Sequence, residues 1–120
     1  MPNIDEIKSI VMTVKNRRAH WLLSSRAKNY QTLSKLGLTD QIVFDLILKK
    51  LSLGNYISGP LMDNHIPPVA GNVWIFGLIL MSTECYLKFQ ERPSGIIIWI
   101  SIHEAKYRLI YPYESFPFRQ

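Results

Sequence analysis

The 120 residues suffice for one folding unit and are few for two, since independent domains usually run to roughly 100–200 residues. An apolar fraction of 48% against 19% charged residues excludes a largely disordered chain, and a single cysteine, Cys85, excludes both an internal disulfide and a thiolate metal centre. The net charge of +5 is unevenly spread: no acid occurs from Ile7 through Thr39, where Lys8, Lys15, Arg17, Arg18, Arg26, Lys28 and Lys35 all fall. Such a stretch attracts phosphate backbones and acidic proteins alike, or is simply a solvated helix end and loop.

In chain order, Asn3 is expected to cap a first helix, with Glu6 completing a capping box and Asp5 at the positive end of the helix dipole. Ile4, Ile7, Ile10, Val11 and Val14 form one apolar stripe along it. The acids and the polar-apolar alternation of this opening segment do not resemble a secretory signal. HWLLSS is either a short edge strand or an extended connection, and AKNYQTLSKLG a short helix closed by Gly37. LTDQIVFDLILKKLSLG is capped by Thr39; its apolar residues Ile42, Val43, Phe44, Leu46, Ile47 and Leu48 cover most of the circumference, which predicts the most buried helix of the fold.

NYISGPLMDNHIPPVAGN holds one short strand candidate among turn-forming Gly and Pro, and Asp63 with His65 is only a weak candidate for a two-ligand metal site. Three strands follow, Val73 to Leu80, Glu84 to Gln90 and Gly95 to His103, joined by links short enough for hairpins. The longest apolar run, Val73 to Met81, is far short of the roughly 20 residues of a membrane helix. RLIYPYESFPFRQ is expected to lie over the domain as an extended aromatic tail. The pattern is that of an α+β fold in one domain over 1–120: 1–54 mainly helical, 55–103 a mainly antiparallel sheet, 104–120 the tail. A buried, reduced thiol at Cys85 favours the cytoplasm.

Strand periodicity places Cys85, Leu87 and Phe89 on one face and Tyr86, Lys88 and Gln90 on the other. If Ile96, Ile98, Ile100 and Ile102 share the core with Leu87 and Phe89, then Tyr86 and Lys88 lie beside Trp99 and Ser101, with His103 near Glu84 or Ser82. RNA is cut without a metal when a base takes the 2′-hydroxyl proton, an acid protonates the leaving 5′-oxygen and a cation steadies the phosphorane. Histidines titrate near neutrality, so His103 suits base or acid; Lys88 suits the cation, Tyr86 a hydrogen bond or proton, and Trp99 stacking on a base. Equally, Tyr, Lys and Gln are ordinary residues on the wet face of a strand.

From about Tyr30 to Tyr113 the chain resembles the MqsR (motility quorum-sensing regulator) family of toxins from bacterial toxin-antitoxin systems. The resemblance rests on the order of LGL before a helix ending at Leu51, then NYISGP, VWIFG, CYLKF, WISIHEA and YPY. It implies a RelE-like fold and an mRNA-cleaving endoribonuclease that needs no metal or cofactor and is silenced by a cognate antitoxin. Carried over, the YLK motif marks Tyr86 and Lys88, the closing strand His103, and the following Tyr-Pro segment Tyr111 and Tyr113. The chain departs from the family in having Ile57 and Ser58 where better-known members carry a lysine, and Ile75 where they carry Gln. Its expected catalytic set is therefore His103, Lys88 and Tyr86, with Trp99, Ser101, Tyr111, Tyr113, Arg17, Arg18, Arg26 and Lys28 binding substrate. The alternative is a non-catalytic module of the same fold that holds RNA or an antitoxin.

Overall fold

The structure is a computed structural model that describes residues 2–63 and 66–114. Helix α1 (Ile4–Asn16) starts where the capping box predicts: the Asn3 side chain accepts from the Glu6 amide at 2.8 Å, and Glu6 accepts from the Asn3 amide. A short turn leads to β1 (Trp21–Leu23), then α2 (Ala27–Leu36), ended by Gly37 at φ 71°, and α3 (Asp40–Lys50), capped by Thr39. Strands β2 (Tyr56–Leu61), β3 (Asn72–Leu80), β4 (Thr83–Glu91) and β5 (Ile97–Glu104) complete the fold. The chain is α+β, with the order β1-β5-β4-β3-β2. The sheet is mixed, because β1 joins β5 in parallel while the other neighbours are antiparallel. β1 also puts a strand inside the segment expected to be mainly helical.

One sheet face carries the core. Phe76, Leu80, Cys85, Leu87, Phe89, Trp99 and Ile102 are all fully buried there with Ile7 and Val14 of α1 and Val43 and Ile47 of α3. Each such side chain withdrawn from water contributes roughly 1.5–3 kcal/mol. Trp21 links the layers: its ring lies edge-on to Phe44 and Trp99, and its indole N–H donates to the Val14 carbonyl at 2.8 Å. The expectation that α3 is the most buried helix fails. It buries only Val43, Phe44 and Ile47, with Leu46 and Leu48 partly covered and Ile42 48% exposed, because only one side of the helix faces the core.

The predicted phase of β5 needs a larger correction. Lys88 pairs with Ser101 but Phe89 pairs with Trp99, so Ile100 is an extra residue at a β-bulge. Beyond the bulge the faces exchange. Trp99 and Ile97 therefore enter the core, and Ile98 pairs with Gln90 on the other side. A bulky aromatic gains far more from the core than from the wet face, and the bulge makes that possible.

Beyond Trp99, where its pairing with β1 ends, the edge of β5 is closed by side chains rather than by a strand. Asn29 of α2 donates to the Ile100 carbonyl (3.0 Å) and accepts from the Ile102 amide (2.8 Å), and Thr32 accepts from the Glu104 amide (3.0 Å). Asn29 thereby stands in for one residue of a neighbouring strand. This fixes the helix, and with it Arg26 and Lys28, against the end of the sheet that bears His103.

Candidate functional site

The sheet face opposite the core is covered at both ends and open between them. At one end Gln90, 1% exposed, donates to the carbonyls of Val69 and Gly71 and accepts from Arg92, which pins the loop before β3. At the other, Glu84 accepts from the Leu109 amide (3.1 Å) and the Tyr111 hydroxyl (2.9 Å), drawing the segment after β5 across Gly77. A methyl group at Gly77 would lie 2.5 Å from the Tyr111 hydroxyl, so a larger residue there displaces the Tyr111 and Leu109 side chains. Between these ends stand Tyr86, Lys88, Ser101 and His103, in a register two residues away from the nearest one expected: Tyr86 faces His103 directly, and Lys88 faces Ser101.

The Tyr86 and His103 rings stack at 5.4 Å with 17° between their planes. His103 Nδ1 lies 3.1 Å from the Glu104 carbonyl, and since a carbonyl only accepts, the neutral ring donates from that nitrogen and leaves its lone pair on Nε2. Burial raises the Tyr86 phenol above its ordinary value, partly offset by the positive charge of Arg26, so the ring stays protonated and able to donate. Arg26 reaches the face from the start of α2 and donates to Ser101 Oγ at 3.4 Å. Among the described residues the Tyr86 hydroxyl, the Lys88 ammonium and His103 Nε2 have no hydrogen-bond partner. A donor, a cation and a base are thus presented together on one open face.

The other sequence-predicted site residues divide. Ser101 is on the face but 2% exposed beneath Arg26, and Trp99 is fully buried in the core, where it cannot stack on a ligand. Tyr111 borders the face at Gly77, but its hydroxyl is taken by Glu84, and Tyr113 packs 6.0 Å from Tyr56. Arg17 lies 3.6 Å from Glu91, and Arg18 bonds Asp45 and Gln41 over the rings of Trp21 and Phe44. The acid-free segment is therefore not one basic surface, because folding brings Glu91, Asp45 and Glu104 to three of its cations. Only Arg26 and Lys28 of the predicted cations lie beside the face. Sequence reasoning missed Lys106 and Gln31, which with Lys28, Thr32, Lys35 and His103 line an adjoining cleft. The i, i+3, i+4, i+7 spacing of Lys28, Gln31, Thr32 and Lys35 was a signal for it.

Cys85 is buried on the core face, and burial raises its thiol to about 11, so it is no nucleophile near neutral pH. His65 lies outside the described residues, as does the tail from 115 to 120. Among the described residues no three His, Cys, Asp or Glu side chains gather as a metal site, and no helix is long and apolar enough to cross a membrane. No protein-family model, curated protein or solved structure matches the chain.

Proposed function

We propose that the chain is a cytoplasmic MqsR-like toxin of RelE-like fold, a metal-independent endoribonuclease that cuts single-stranded mRNA and is held in check by an antitoxin protein. The stacked Tyr86–His103 pair beside two cations carries this reading. His103 Nε2 takes the proton of the 2′-hydroxyl as that oxygen attacks phosphorus. Lys88 and Arg26 face the non-bridging oxygens, where charge grows. The bond to the 5′-oxygen breaks as Tyr86 gives its proton to the leaving group; afterwards the imidazolium releases its proton to water and the phenolate takes one back. The products are a 2′,3′-cyclic phosphate and a 5′-hydroxyl end, with protons conserved over the cycle. Helices α1 and α3 packed on one face of the sheet support the fold assignment, and the ordered LGL, CYLKF, WISIHEA and YPY segments support the family.

Incubating the purified chain with end-labelled RNA in EDTA tests the reaction. Cleavage leaving a cyclic phosphate, abolished when the 2′-oxygen at the cut site is removed, is the expected result. Retention of RNA without any cleavage overturns the enzyme reading and leaves a binding module of the same fold. In cells, overexpression is expected to arrest growth, and His103→Ala to relieve the arrest.

A further inference from the structure

We propose that the cleft between α2 and the segment following β5 holds the backbone phosphate of the nucleotide next to the cleaved bond, with Lys28 and Lys106 as its cations; this rests on the ribonuclease reading. The cleft has a volume of about 580 Å³, within the roughly 300–1,000 Å³ of small-ligand sites. Lys28, Gln31, Thr32 and Lys35 form one wall along a single helix face, and residues 103–106 form the other. Its charge is unbalanced. Glu104 is bridged by Lys35 at 2.6 Å, which leaves Lys28 and Lys106 without an acid. Lys28 has no hydrogen-bond partner among the described residues, and Lys106 only lies 5.9 Å over the exposed Tyr107 ring.

Continuity with the site gives the cleft its role. The imidazole of His103 lines it on one side and stacks on Tyr86 on the other, so a strand with its reacting phosphate between Lys88 and Arg26 passes His103 directly into the cleft. A protein segment is the poorer occupant, because His103 aside the lining is Lys, Gln, Thr, Glu and Ala, with no large apolar side chain to act as an anchor.

The test uses a fluorescent 2′-O-methyl oligonucleotide, which cannot be cut by 2′-oxygen attack, titrated across a range of salt concentrations. Lys28→Gln with Lys106→Gln is expected to weaken binding about tenfold at low salt and flatten the log-log salt slope by about 0.7, the share of one phosphate contact on a single strand. Lys49→Gln with Lys50→Gln, in the last turn of α3, removes the same charge elsewhere and is expected to leave the slope unchanged. Equal losses in both double variants, or none in the first, overturn the proposal. So does unchanged RNA binding with lost binding of polyglutamate, which assigns the cleft to an acidic protein. Absence of cleavage by the wild-type chain, with the selective loss of oligonucleotide binding intact, overturns the ribonuclease reading and leaves the phosphate cleft standing.

Discussion

The two faces of the sheet are built by different rules. On the core face, order comes from volume: Phe89 is held 5.7 Å from Phe76 and 5.0 Å from Trp99, among neighbours that are all apolar. On the other face, order comes from a few directed bonds, with Gln90 and Glu84 tying irregular segments to the ends and Asn29 fixing α2 at the side. The first arrangement supplies stability and tolerates little loss of volume. The second supplies position, and leaves the polar groups between its anchors uncommitted. Substitutions on the two faces should therefore separate activity from stability.

The largest effect is expected at His103. If it is the general base, His103→Ala lowers the cleavage rate by about 10²–10⁴-fold while the urea midpoint stays within error, because its ring stacks on Tyr86 outside the hydrophobic core. A drop in stability matching the drop in rate would erase the contrast between the faces. Phe89→Ala is the converse case. It leaves a cavity between Phe76 and Trp99 and should cost about 3–5 kcal/mol by equilibrium unfolding.

Asn29→Ala probes whether directed bonds alone hold α2. It leaves the Ile102 amide and the carbonyls of Ile100 and Ser24 without their side-chain partner, at a cost of about 2–4 kcal/mol. RNA binding should weaken as well, since Arg26 and Lys28 are carried by the same helix. Loss of less than about 1 kcal/mol would mean that water replaces the side chain, and that the edge is not what positions the cations.

These residues also separate what the sequence discloses from what it does not. The capping box at Asn3, the αL glycine at Gly37 and the alternation of β4 are local signals, and each matches the structure. The sharing of one face by Tyr86 and Lys88 was legible for the same reason; Ser101 and His103 lie on the expected face, but His103 faces Tyr86 and not Glu84 or Ser82. The phase of β5 was not, because GIIIWI has no polar residue before Ser101 to mark which face is wet, and alternation cannot register the single extra residue at Ile100. Asn29 was illegible as well. An asparagine in a helix usually faces water, and only the approach of β5's open edge buries this one.

Protonation gives a further contrast. Burial raises Cys85, from 9.0 to about 11, and also the phenols of Tyr56, Tyr86 and Tyr111, the last reinforced by its bond to Glu84. In each case the fold favours the protonated form, so the contribution is complete below the ordinary value and is lost as pH rises through the folded one. For Cys85 that window is about pH 9 to about 11. The melting temperature is expected to fall as pH rises through it, and to fall less steeply in Cys85→Ala. Parallel curves for the two proteins would show that the tyrosines alone govern the alkaline limb.

The smallest effect belongs to a position on neither face. Leu80 pairs with Thr83, so Met81 and Ser82 make a two-residue hairpin turn, at φ 50° and 63°. That is the left-handed region at both central positions, as in a type I′ turn, where Asn-Gly fits without the crowding that Met and Ser impose. Met81→Asn with Ser82→Gly is expected to stabilise the chain by about 1 kcal/mol, a rise of a few degrees in melting temperature. Since the turn touches neither Tyr86 nor His103, the cleavage rate should not change. A change in rate would mean that the register of β3 against β4, and not only the side chains at its centre, is tuned through this turn.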